Sequence, residues 1–128
     1  AGGEQPSDQQ LEAASACLHR FTAAFNRGDV QAMDAELRFP HQMYSGAQSL
    51  TWATPGQHPV SFFADLKASG WARTDYESIL PVLVAHDKVH FVVTYSRRNA
   101  QGDTLSLHKN LWIVTCAQGK WGIAVRSY

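Results

Sequence analysis

With 128 residues, 45% of them hydrophobic and 17% charged, the chain is long enough to bury one core and too apolar to stay disordered, so a single domain over 1–128 is expected. Eleven basic residues balance eleven acidic ones, and the longest basic run is Arg97-Arg98, which argues against a nucleic-acid partner and leaves little charge repulsion to oppose self-association. No apolar run approaches the roughly 18 residues of a membrane-crossing helix, so no membrane partner is expected either.

In chain order, the polar opening AGGEQPSDQQ is expected to fray up to Pro6. It lacks an initiator Met; a cytoplasmic location is the default expectation, with a removed signal peptide left open. Ser7 and Gln10 have the spacing of a capping box. Leu11, Ala14, Leu18, Phe21 and Phe25 then recur at steps of three and four, which predicts one amphipathic helix of about 18 residues. Asn26-Arg27-Gly28 stops it, because glycine accepts the left-handed conformation past a helix end. Asp29 caps a second helix, with Val30, Met33 and Leu37 on one face and the Phe39-Pro40 step as its breaker. HQMYSGAQSLTW reads as a hairpin turning at Ser45-Gly46. A third helix is predicted around 59–69, opened by Pro59, carried by Phe62, Phe63 and Leu66, and closed by Gly70. From Asp75 the texture becomes β-branched and aromatic, predicting strands near 76–86, 88–98, 104–116 and 120–127 with turns at 99–103 and 117–120. Two of these are about 11 to 13 residues long against a usual five or six, so a strongly curled sheet is expected. Helices segregated onto such a sheet make an α+β domain.

Alternation divides the strand residues into two faces. One holds Val89, Phe91, Val93, Tyr95 and Arg97, with Leu105, Leu107, Lys109, Leu111 and Ile113, and with Trp121, Ile123 and Val125; it is expected to meet the helices. The other holds His90, Val92, Thr94 and Ser96, with Ser106, His108, Asn110, Trp112 and Val114, and with Gly122, Ala124 and Arg126. This second face is either a subunit interface anchored by Trp112 or a polar ligand site built from His90, His108, Asn110 and Arg126. Bulges along strands this long can exchange the two faces.

Most carboxylates fall at the chain start, in caps or in turns, and Asp34, Glu36 and Asp65 fall on helices. A buried acid acting as general base therefore has few candidates. Histidine or tyrosine is the better choice for proton transfer, and His41 and Tyr44 on the hairpin are the catalytic candidates, with a purely structural His41 as the alternative. The six histidines have no metal-ligand spacing. There is no glycine-rich nucleotide loop and no GxSxG elbow, so no metal or other cofactor is expected. Cys17 and Cys116 lie far apart and are read as free thiols, with a single disulfide left open.

The stretch CLHRFTAAFNRGDVQAMDAEL, followed by a hairpin, a third helix and long strands ending in GKWGIAVRSY, resembles the nuclear transport factor 2-like superfamily, which includes ketosteroid isomerase, scytalone dehydratase and polyketide-cyclase-like proteins. The resemblance runs from about residue 9 to 128 and rests on AFNRGD and on the terminal G-x-W-x-I. Within the superfamily, RFPHQMYSG, the Gly70-Trp71 pair and WGIAVRS are similar to a subgroup of uncharacterised bacterial proteins. The resemblance implies a cone-shaped α+β barrel, with three N-terminal helices packed on a strongly curved mixed or antiparallel sheet around an apolar cavity. It also implies a homodimer through the outer sheet face. The isomerase's helix-1 tyrosine falls here on Phe21, and its basic aspartate falls near Tyr44 to Gly46, where there is no acid. Steroid isomerase chemistry is therefore not expected. Scytalone dehydratase surrounds its pocket with histidines and tyrosines, which His41, Tyr44, His90 and Tyr95 would match only loosely.

The expected pocket is bordered by Phe21, Phe25, His41, Tyr44, Trp52, Phe63, Tyr95, Lys109 and Trp121, with His90, Asn110 and Arg126 as a second polar cluster. Lys109 and Arg97 either contact an anionic group or reach solvent at a strand end. The expected function is binding or transforming a small, mostly apolar ligand by cofactor-free acid/base chemistry of lyase, isomerase or cyclase type. The alternatives are a non-catalytic ligand-binding protein and a dimeric assembly module, so whether the chain is an enzyme stays open.

Overall fold

A computed structural model of the chain describes residues 6–128, with side chains from Gln9 onward. The expected fraying of the first residues and the Ser7 end of the capping box lie outside the described residues and side chains. The elements are α1 (Pro6–Arg27), α2 (Val30–Ala35), β1 (Leu37–Ser45), β2 (Gln48–Trp52), α3 (Phe62–Ala68), β3 (Arg73–Val84), β4 (Lys88–Arg98), β5 (Thr104–Ala117) and β6 (Lys120–Ser127). The six strands form one mixed sheet in the order β2-β1-β6-β5-β4-β3. Only β1 and β6 run parallel; every other neighbouring pair is antiparallel. The expected α+β class and mixed sheet are present; the sheet is open, with β2 and β3 as its edges, rather than closed into a barrel.

The AFNRGD segment joins the helices to the sheet. Gly28 has φ +67°, the left-handed turn that ends α1. Asp29 caps α2 by accepting a hydrogen bond from the Ala32 N–H at 3.1 Å. Asn26 acts like one more strand residue: its Nδ2 donates to the Thr74 carbonyl at 2.9 Å and its Oδ1 accepts from the Thr74 N–H at 2.7 Å. The end of α1 is thereby pinned to the start of the edge strand β3.

Helix α2 is shorter than the apolar spacing predicts. Leu37 begins β1, and Phe39-Pro40 lies inside that strand rather than ending the helix. The reason is tertiary: the Glu36 carbonyl accepts from the Ile123 N–H at 2.8 Å, so the chain leaves the helix to pair with β6. Strand β6 comes so close at this point that a Cβ on Gly122 would lie 3.2 Å from the Arg38 nitrogen. Helix α3 also starts later than expected, at Phe62, with Pro59 in the turn before it. The hairpin turns at Gly46-Ala47, between the paired residues Ser45 and Gln48.

The core lies between α1 and the sheet. Ala14, Cys17, Leu18, Phe21 and Ala24 pack on Val89, Phe91, Val93, Tyr95, Trp112, Val114 and Ile123. This corrects the expected inner face of β5. Arg98 pairs with Thr104, but a bulge follows, and Arg97 then pairs with Ser106, Tyr95 with His108 and Val93 with Asn110. One extra residue exchanges every side chain beyond it between the faces. Asn110 and Trp112 therefore point inward, whereas Leu107, Lys109, Leu111 and Ile113 point outward. A second bulge, between the Ile113–Val125 and Val114–Ile123 pairs, lets both Ile123 and Arg126 reach the inner face of β6. Trp112 is 4% exposed and so cannot anchor a subunit interface. Both cysteines are free, Cys17 buried and Cys116 half-buried. Burial pushes the Cys17 thiol up to about 12, which keeps it protonated and inert.

Candidate functional site

Between the helices and the inner sheet face lies a mostly apolar cavity of about 350 Å³, within the usual range of small-molecule sites. Phe21, Phe25, Trp52, Tyr76 and Trp112 supply much of its wall, and its polar lining includes His58, Tyr95, Arg97 and Arg126. The aromatic groups brace one another edge to face: Phe21 meets Trp112 at 5.7 Å and Trp52 meets His58 at 4.6 Å between ring centroids.

Arg126 is the charged centre of this wall and is 6% exposed. Its Nε donates to His41 Nε2 at 2.9 Å, and its Nη2 donates to the Met43 sulfur at 3.3 Å. The guanidinium lies 5.3 Å from the Phe21 ring centre and 5.8 Å from that of Trp52, at cation–π distances. His41, fully buried beneath it, has its Nδ1 2.8 Å from the Ile123 carbonyl. Because a carbonyl only accepts, Nδ1 must carry the proton and Nε2 is left to accept from Arg126. Burial first, and then the neighbouring Arg126, lower the His41 pKa to about 4, so the ring is neutral at ordinary pH.

His58, in the loop between β2 and α3, also lines the cavity. Its Nδ1 lies 3.3 Å from Asp34 Oδ1, and the two side chains are only 5% and 9% exposed. The geometry is too oblique for a formed hydrogen bond, so the contact is an electrostatic one at ion-pair distance. The other Asp34 oxygen accepts from the Gly56 N–H at 2.9 Å, which ties the His58 loop to α2. The His58 pKa is lowered, by burial above all; Asp34 opposes this and Arg126 adds to it. A neutral imidazole beside a carboxylate, with its second nitrogen without a partner among the described residues, has the makings of a general base. Tyr76 donates to the Leu18 carbonyl at 2.9 Å, and burial raises both its pKa and that of Tyr95, so both phenols stay protonated. Among the described residues, no three of His, Cys, Asp and Glu converge as a metal site.

Of the residues expected at the pocket, Phe21, Phe25, Trp52, Tyr95 and Arg126 line the cavity. His41 lies behind Arg126, and Asn110 is buried on the same inner face opposite Val93. Phe63 packs behind the lining on Phe25 and Trp71, while its neighbour Phe62 faces the cavity. Four others lie elsewhere. Tyr44 is 41% exposed, with its hydroxyl donating to Gln42, because alternation along β1 turns Met43 inward instead. Lys109 and His90 project from the outer sheet face, and Trp121 borders a separate hollow with Cys116. Sequence reasoning missed Asp34 and His58. Asp34 carried a signal: it falls four residues after Val30, on the face shared by Met33 and Leu37, and an acid in an apolar stripe asks for a partner. His58 carried none, since its place depends on how the loop folds over Trp52.

No protein-family model and no curated protein matches the sequence. Solved structures do match in fold. A nuclear transport factor 2-like protein with a cystatin-like fold from Novosphingobium aromaticivorans superposes with a TM-score of 0.72 at 13% identity, over 93% of this chain and 80% of that one. A proposed scytalone dehydratase from the same species gives 0.64 at 12% identity, over 95% and 84%. A proposed ketosteroid isomerase from Shewanella frigidimarina gives 0.62 at 15%, over 90% and 93%. At such identities the likeness is one of fold.

Proposed function

We propose that this chain, which has the nuclear transport factor 2-like, cystatin-like fold, binds and transforms a small, mostly apolar molecule in the cavity under its helices. The chemistry is cofactor-free proton transfer of isomerase, lyase or cyclase type. The observation that carries the reading is a neutral histidine, His58, set against a buried carboxylate, Asp34, at the wall of an apolar cavity. His58 takes a proton from carbon or oxygen, Asp34 stabilises the imidazolium that forms, and Arg126 faces the charge developing on the substrate. His41, the residue first favoured as catalyst, orients Arg126 instead. The helices and the curl of the open sheet form a cone-like enclosure that keeps water from the reacting atoms. In this reading the outer sheet face pairs with a second copy of the chain.

Proton abstraction is common to all three reaction types, so it can be tested before a product is known. Small apolar ketones and acids that bind the protein are incubated with it in D₂O, and deuterium uptake at their acidic C–H positions is followed by NMR. The wild-type protein is expected to catalyse exchange, and His58→Gln to slow it by about a hundredfold or more. Binding without exchange would leave a non-catalytic carrier.

A further inference from the structure

The cavity contains a cation with no counter-charge. None of the ion pairs among the described residues uses Arg126. Its partners are a neutral imidazole, a thioether and two ring faces, none of which carries negative charge. A guanidinium has five N–H donors and stays protonated at any ordinary pH; His41 takes one here and the Met43 sulfur another. Asp34, the acid beside His58, accepts from Gly56 and faces His58 rather than Arg126. The same wall holds a further unmet donor. The indole N–H of Trp112, which pairs with Arg126 in the sheet, has no acceptor among the described residues. An arginine 6% exposed and facing an apolar cavity is costly to leave without an anion.

We infer that the ligand of this cavity is an apolar acid whose single carboxylate pairs with Arg126, while its hydrocarbon body lies on Phe21, Trp52 and Trp112. The inference rests on the small-molecule reading above and deepens it. A carboxylate matches the planar fork of a guanidinium through two parallel hydrogen bonds. Arg97, the other arginine of the lining, also has no ion-pair partner among the described residues, but it belongs to the far end of β4, so the single carboxylate is assigned to Arg126. His41 is a positioning residue: by accepting from Nε it turns the Nη edge of Arg126 toward the ligand.

The test is calorimetric titration of the full chain with benzoate, 4-phenylbutyrate and decanoate, each against its primary amide. At least one acid is expected to bind roughly ten- to a hundredfold more tightly than its amide. Arg126→Gln should bring the acid down to the amide's affinity, and Tyr44→Phe, which removes an exposed hydroxyl outside the cavity, should leave it within about threefold. Arg126→Lys, which keeps the charge without the fork, should retain part of the preference. If Arg126→Gln does not fold, the acid-to-amide ratio and the lysine variant still decide the matter. Equal binding of acid and amide would overturn the carboxylate and leave the small-molecule pocket standing. A preference that survives Arg126→Gln, or displacement of the acid by inorganic phosphate, would also overturn it. Failure of every acid and every amide to bind would remove both readings together.

Discussion

His41 shows how one side chain can be central to a site without touching what the site binds. Its two nitrogens are used within the protein, one on the Ile123 carbonyl and one on Arg126. Its pKa falls from 6.5 unfolded to about 4 folded, so the unfolded chain binds the extra proton first. The stabilisation is therefore complete above pH 6.5 and is lost as pH falls toward 4, by up to about 3 kcal/mol. Glutamine can donate to Ile123 and accept from Arg126 as the imidazole does, but it does not titrate. Urea unfolding across this window should show a steeper loss of stability in the wild type than in His41→Gln; parallel curves would refute the assignment. Reading His41 in the sequence as catalytic or structural was a choice between two fates of one residue type. Which one applies depended on Ile123 and Arg126, more than eighty positions away.

At the level of elements, the link between α1 and β3 positions part of the cavity wall. Thr74 lines the cavity, and its backbone N–H and carbonyl are both held by Asn26. Asn26→Ala leaves both groups to water or to nothing, at a cost of about 2 kcal/mol. Asn26→Asp keeps the acceptor and loses the donor, so it should fall between. Chemical denaturation of the three proteins checks the order, and an alanine variant as stable as the wild type would remove Asn26 as a latch. The AFNRGD motif was legible as a helix stop and start, because those are local backbone events. Its bond to Thr74 was not, because nothing local to Asn26 specifies a strand 48 positions on. The same division holds for β5. Its length and alternation could be read directly, but a single bulge beside Arg97 decided which of its faces joined the core.

At the level of the whole molecule, the outer sheet face carries an apolar band. Leu80, Val92 and Leu111 stand in register across β3, β4 and β5, with Leu83 and Ile113 flanking His90 in a neighbouring row. Leu80 is 56% exposed and Leu107 64%, which is unusual for large apolar side chains on a sheet surface. This is the face on which a second copy is proposed to sit. Leu80→Lys should then convert a dimer to a monomer by light scattering while ligand binding in the cavity is retained. A wild-type protein that is monomeric at every concentration would exclude the homodimer. Among the described residues no helix is long and apolar enough to cross a membrane.

The order of elements, the helical face of α1, the stop at Gly28, the cap at Asp29 and the long strands were all determined by the sequence itself. Each depends on spacing or backbone preference within a few neighbouring residues. The fold followed from that order, and five of the expected pocket residues line the cavity, because large aromatic residues on inward faces have few other places to go. Only the tertiary structure decided that β5 turns Trp112 inward, that Arg126 joins Ile123 on the same wall and that Asp34 meets His58. Two bulges and one loop settle these matters. Each is a small local irregularity whose energy is decided by partners distant in the chain, and for that reason the site was less legible than the fold that holds it.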